Sequence, residues 1–108
     1  MKINTSELTG AALDWAVGYI MGEKLLILER QIVWPEDYSP STNWSQGGPL
    51  IERENICLWS EGYDWEAKIQ TGAGEWLAEW DEYPLIAAMR CYVASKLGDT
   101  IEIPEELQ

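Results

Sequence analysis

Two arginines and one polar segment are the residues best suited to bind a ligand. Arg53 follows a stretch rich in Ser, Thr, Asn and Gly, and Arg90 lies within an apolar helical pattern. A buried guanidinium without a partner costs on the order of several kcal/mol, so each arginine is expected to meet an anion. That anion is either one of the chain's own carboxylates, such as Glu52, Glu54 or Asp14, or a phosphate or carboxylate of a ligand held bidentately. The sequence leaves both options open.

The polar segment, residues 35–49, is predicted to be a long solvated loop. It has neither a strand period nor a helix period, and loops beyond about 12–15 residues tend to be functional or disordered. In the predicted site, the ring of Tyr38, Trp44 or Trp15 stacks on a planar ligand, and Gly47 and Gly48 let backbone N–H groups approach it. Polar side chains of the segment bind the edge of the ligand, and these are Ser39, Ser41, Thr42 and Asn43.

The residue types argue against catalysis. The chain has no His, which removes the commonest general base and the commonest transition-metal ligand. Its two cysteines, Cys57 and Cys91, have no His to activate them and are expected to be buried free thiols. Glu36 and Asp37 form a pair that would hold a hard cation only weakly. We therefore expect a protein that is not an enzyme and uses no cofactor or metal.

Charge and aromatic content narrow the class of partner. A formal net charge of −12 disfavours DNA, RNA and anionic membranes and favours basic protein surfaces. The chain has seven Trp, five Tyr and no Phe, and Trp and Tyr prefer sites where one end stays wet. Some of these rings are expected to line a cavity or an interface, which predicts a homo-oligomer that buries part of its Trp surface. No apolar run approaches the 18 residues or so of a membrane-spanning helix.

Two helices are predicted from caps and periodicity. Apolar residues recur every three to four positions over residues 9–21, with Thr9 at the start of the pattern and Gly22 directly after it. A second such pattern covers residues 84–97, with Pro84 at its start and Gly98 directly after it. The remaining segments predict strands. Leu25–Trp34 is strand-like with a turn or bulge at Glu29 and Arg30, residues 56–59 and 65–69 form a hairpin, and Ile101–Ile103 is a short terminal strand. Residues 75–82 fit either a short helix or a mobile acidic lobe. The pattern predicts one α+β domain, residues 1–108, with a small, mainly antiparallel sheet packed with the two helices.

Three blocks of the sequence resemble a known family. They are residues 8–17, residues 38–54 with Tyr38-Ser39-Pro40-Ser41-Thr42, Gly47-Gly48-Pro49 and Ile51-Glu52-Arg53-Glu54, and residues 84–98. Together they resemble the NinX-like small phage proteins, a domain of unknown function from tailed phages and prophages of enterobacteria. The resemblance implies a phage accessory protein that acts in the cytoplasm of an infected bacterium, and it implies no catalytic residues.

Two functions of different classes remain open. In the first, the protein binds and sequesters a small anionic, nucleotide-like signalling molecule and so counters host defence. In the second, it is an acidic inhibitor of a basic host protein, with Trp76 and Trp80 in residues 75–82 as anchors. A phage regulatory factor of another kind is a third reading.

Overall fold

The computed structural model describes residues 2–34 and 38–107, so the pair Glu36 and Asp37 lies outside the described residues. Within these ranges the fold is α+β, with three α-helices and seven short strands. In chain order the elements are β1 (Lys2–Asn4), α1 (Gly10–Met21), β2 (Leu26–Leu28), β3 (Gln31–Trp34), α2 (Trp44–Arg53), β4 (Cys57–Ser60), β5 (Trp65–Gln70), β6 (Trp76–Asp81), α3 (Pro84–Leu97) and β7 (Thr100–Glu102).

Helix α3 lies at the centre of the fold. Its residues from Ala87 to Ala94 are all buried, as expected of a helix that is covered on every side. The sheet β4-β5-β6 packs against it through Ala67 and Ile69, while α1 packs against it through Leu13 and Val17. Both helices predicted from the sequence are confirmed. Gly22 ends α1 in the left-handed conformation, at φ 76°, and Pro84 is the first residue of α3.

The strands form three small antiparallel sheets. The predicted hairpin is confirmed as β4 and β5, and β6 extends it to three strands. The predicted turn at Glu29 and Arg30 is also confirmed, because both residues have positive φ and join β2 to β3. The predicted terminal strand is β7, which pairs with β1, a strand that the sequence pattern did not reveal.

Two predictions were wrong. Residues 75–82 contain neither a helix nor a mobile lobe, because Trp76–Asp81 pairs along its whole length with β5. Residues 35–49 are not one long loop, because α2 begins at Trp44. Asn43 starts this helix by accepting a hydrogen bond from Ser45 N–H at 3.0 Å. Packing of Leu50 in the core stabilises a helix whose glycines and Pro49 disfavour it locally.

Candidate functional site

The polar segment forms one wall of a cleft at the N-terminus of α3. The cleft has a volume of about 330 Å³, which is at the small end of the range for ligand pockets. Its walls come from two regions that are 40 residues apart in sequence. The lining residues are Ser41, Thr42 and Trp44 on one side and Tyr83, Pro84, Leu85 and Ile86 on the other.

A compact turn fixes the first wall. The Ser39 carbonyl accepts hydrogen bonds from the N–H groups of Thr42 and Asn43, at 3.0 and 2.9 Å. The Asn43 side chain then accepts from both the N–H and the hydroxyl of Ser45, which starts α2 directly after the turn. As a result Trp44 is held at the first helical position, with 53% of its surface exposed beside the cleft.

Ser41 is the most unusual residue of this wall. Its N–H donates to Oδ1 of Asp14 at 2.8 Å, and both residues are buried. Burial raises the pKa of Asp14, and the neighbouring Ser41 lowers it by a smaller amount. The Ser41 hydroxyl lies near the same carboxylate, yet among the described residues it has no partner at hydrogen-bonding geometry. Because buried polar atoms are nearly always satisfied, the Asp14 carboxylate is the acceptor expected for this hydroxyl.

The second wall is the first turn of α3. Tyr83 N–H donates to Oδ2 of Asp81 at 3.0 Å, and Pro84 has no N–H. The N–H groups of Leu85 and Ile86 belong to the first turn of the helix, where no acceptor exists within the helix itself. Such groups carry the positive end of the helix dipole and are suited to bind an anionic or carbonyl oxygen.

Neither arginine reaches this cleft. Arg90 is buried, and its Nε donates to the Leu8 carbonyl at 2.7 Å while its Nη1 lies 3.0 Å from both the Trp80 carbonyl and Oδ1 of Asp81. Its anion is therefore one of the chain's own carboxylates, that of Asp81, which is not among the three named as examples from the sequence.

The Arg53 side chain is 52% exposed, so the cost of a buried guanidinium does not apply to it. Its Nε lies 2.9 Å from Oε2 of Glu54, one of the predicted internal partners, and its Nη2 donates to the Tyr92 hydroxyl at 3.2 Å. Arg53 ends α2 while Trp44 begins it, so the rise of the helix separates them by about 14 Å along the axis. The structure thus does not bring the two arginines together with the polar segment.

The other predicted site residues are dispersed. Tyr38, Ser39 and Thr42 border a shallow depression beside Asp14, between α1 and β3. Burial, together with the charges of Glu23 and Asp14, raises the pKa of Tyr38 to about 12. This phenol therefore stays protonated at physiological pH.

Trp15 and the two glycines lie outside the cleft. Trp15 stacks on Tyr19, with 5.2 Å between ring centroids, in a different depression beside β7. Gly47 and Gly48 are inside α2, where Gly47 N–H donates to the Asn43 carbonyl at 2.9 Å, so they do not form a loop that approaches a ligand.

Sequence reasoning missed Tyr83, Pro84, Leu85 and Ile86. Pro84, Leu85 and Ile86 were interpreted only as the start of a helix, although a tyrosine directly before the N-terminal proline was visible in the sequence. Among the described residues, no three His, Cys, Asp or Glu side chains are grouped as a metal site. Nor is any helix in those ranges long and apolar enough to cross a membrane.

Residues 4–96 match the family model described as "Bacteriophage P22, NinX". Among curated proteins no match was found.

Proposed function

Since the chain belongs to the bacteriophage P22 NinX family, we propose that it is a phage accessory protein that sequesters a small nucleotide-like signalling molecule. It acts in the host cytoplasm, binds the molecule without altering it chemically, and thereby counters a host defence that depends on that signal.

The observation that carries this proposal is a cleft at the N-terminus of α3 with two exposed aromatic rings, Trp44 and Tyr83, in its walls. Trp44 and Tyr83 are 53% and 59% exposed and offer faces on which a planar base can stack. Ser41 and Thr42 then bind the polar edge of the base. The anionic group binds at the N-terminus of α3, which replaces the arginines as the anion-binding element.

One feature supports sequestration over turnover, and a second limits the charge of the ligand. None of the described residues that line the cleft is a His, Cys, Asp, Glu or Lys, so the cleft offers no general base or thiolate nucleophile. The net charge of −12 also opposes highly charged anions, which favours ligands with one or two phosphates.

Isothermal titration calorimetry against cyclic mononucleotides, cyclic dinucleotides and ADP-ribose derivatives tests the proposal. We expect saturable binding of one class, weakened at least about fivefold by Trp44→Ala, because stacking contributes about 1–3 kcal/mol per base. Ser41→Ala should weaken binding about three- to tenfold, because it removes a hydroxyl from the wall of the cleft.

Two variants are matched controls. Trp59→Ala removes a similarly exposed indole far from the cleft residues in sequence, and Arg53→Ala removes a cation that does not line the cleft. Both should bind like the wild type. If no compound of the panel produces heat, or if Arg53→Ala abolishes binding while Trp44→Ala does not, the proposed site is wrong.

We also propose self-association through the β2-β3 hairpin. A two-stranded hairpin leaves unpaired backbone groups at its edges. Four apolar side chains of this hairpin are 40–56% exposed, namely Leu26, Leu28, Val33 and Trp34. Sedimentation equilibrium should show an oligomer that Leu28→Glu dissociates. A monomeric wild type at micromolar concentration would reject this surface.

A further inference from the structure

The outer face of the sheet β4-β5-β6 bears three exposed tryptophans. Strand residues alternate between the two faces, and α3 covers the face that contains Ala67 and Ile69. Trp59, Trp76 and Trp80 lie on the opposite face and are 68%, 57% and 48% exposed. Three large rings on one uncovered face indicate an interaction surface, since Trp is strongly favoured at the centre of interfaces.

The strand register places a carboxylate between two of these rings. Glu66 pairs directly with Trp59 on one side and with Trp80 on the other. Neighbouring strands are about 4.8 Å apart, so the two Trp positions are about 10 Å apart across the sheet. This spacing allows one planar group to lie between the two indoles, directly above Glu66.

A cavity adjoins this row. It has a volume of about 350 Å³, and Trp59, Glu61, Glu66 and Lys68 are among its lining residues. Lys68 Nζ lies 3.7 Å from Oε1 of Glu66, and 50% of the Lys68 side chain but only 14% of the Glu66 side chain is exposed. A cation of this chain already approaches the Glu66 carboxylate at long range, and a better-placed cation would make a closer pair.

From these observations we propose that the outer sheet face docks on a basic protein, and that an arginine of this partner binds at the Trp59–Glu66–Trp80 row. A guanidinium can stack on indole faces and at the same time form two parallel hydrogen bonds with a carboxylate. A lysine ammonium cannot form that bidentate pair. The net charge of −12 attracts a basic surface over the distance at which encounter begins. None of these residues belongs to the cleft, so the inference is independent of the sequestration proposal.

The charge also selects among possible occupants. A second copy of the chain, in a symmetric pair at this face, would place Glu61 and Glu66 near their own equivalents. Such like-charge contacts oppose self-docking here. A basic partner meets no such repulsion.

Binding of two nine-residue peptides, one all arginine and one all lysine, tests the inference by calorimetry at 50 mM and 300 mM NaCl. Their charges are equal, so bulk attraction affects both in the same way. We expect the arginine peptide to bind about three- to tenfold tighter, a ratio consistent with cation–π stacking. That preference should persist at the higher salt, because salt screens the charge attraction that both peptides share.

Variants locate the contact. Trp59→Leu, Trp80→Leu and Glu66→Gln should each abolish the preference for arginine, whereas Trp44→Leu, which changes an exposed Trp outside the sheet, should retain it. All four positions are at least partly exposed, so circular dichroism should show an unchanged fold. Equal affinity for the two peptides overturns the inference. So does a sedimentation result in which Trp59→Leu dissociates a dimer, since a second copy would then occupy the face.

Discussion

Asp81 connects Arg90 to the start of α3. Its Oδ1 lies 3.0 Å from Arg90 Nη1, and its Oδ2 accepts the N–H of Tyr83 at 3.0 Å. Arg90 also donates to the Leu8 carbonyl, 82 residues away in sequence. One buried ion pair thus fixes the N-terminal segment, the end of β6 and the wall of the cleft relative to each other. The arginine that looked like a ligand-binding group has a structural role.

Removal of this arginine should destabilise the fold. Arg90→Ala leaves the Asp81 carboxylate and two carbonyls without their donor, which for a buried pair costs about 3–5 kcal/mol. Arg53→Ala is the matched control, because Arg53 is exposed and such pairs contribute about 0–1 kcal/mol. Urea unfolding followed by Trp fluorescence measures both. Equal free energies of unfolding for the two variants would contradict this role for Arg90.

Gly47 should be required for packing and not for ligand binding. A Cβ at this position would lie 2.6 Å from Leu85 Cδ1 and would also clash with the Pro40 carbonyl. Gly47→Ala is therefore expected to destabilise the protein by about 1–3 kcal/mol, the usual cost of overpacking. Gly48 is the adjacent comparison, since the nearest atom to its Cβ belongs to Trp44 at 4.0 Å. Gly48→Ala should stabilise α2 by about 0.5–1 kcal/mol. Melting temperatures that shift in opposite directions in the two variants would confirm this contrast, and equal shifts would contradict it.

The sequence predicts those elements whose signals are local. Thr9 and Gly22 bound α1, Pro84 and Gly98 bound α3, and each signal lies within a few residues of the helix it defines. Helix α2 could not be predicted in this way, because Gly47, Gly48 and Pro49 all disfavour a helix. Contacts with Leu85 and the core, distant in sequence, stabilise it instead. Strand β6 could not be predicted from local signals either, because its pairing with β5 determines its conformation.

In the candidate site, too, only the residues that are close together in sequence could be predicted. Ser41, Thr42 and Trp44 were identifiable because they share one polar segment. Their partners on α3 were not, because nothing in the sequence relates residue 41 to residue 85. The partner of Arg90 was hidden for the same reason: any of 19 acidic residues could fill that role, and only the fold brings Asp81 to it.

The two cysteines should differ sharply in reactivity. Both were expected to be buried, but Cys57 is exposed on β4 while Cys91 is buried in α3. Burial raises the pKa of Cys91 to about 12, and its Sγ lies 3.5 Å from the carbonyls of Ala67 and Leu77. Because the thiolate is the reactive form, Ellman's reagent should titrate one thiol in the native protein and two in urea. Cys57→Ser should remove the native reaction, and a native Cys57→Ser protein that still reacts would contradict the assignment.

Asp14 should make the stability of the protein fall as the pH rises. Burial raises the pKa of Asp14 in the folded state above its ordinary value of 3.8. At a pH between 3.8 and the pKa of the folded state, the native protein therefore binds more protons than the unfolded protein. The free energy of unfolding must then decrease as the pH rises through this window, and the full cost of the buried charge remains above it.

Asp14→Asn keeps an oxygen that can accept from Ser41 N–H but removes the charge. In urea unfolding the variant should be more stable than the wild type at pH 7. This advantage should shrink as the pH falls towards 3.8, because the wild-type carboxyl becomes neutral. Parallel stability curves for the two proteins between pH 3.5 and pH 7 would show that Asp14 carries no such cost.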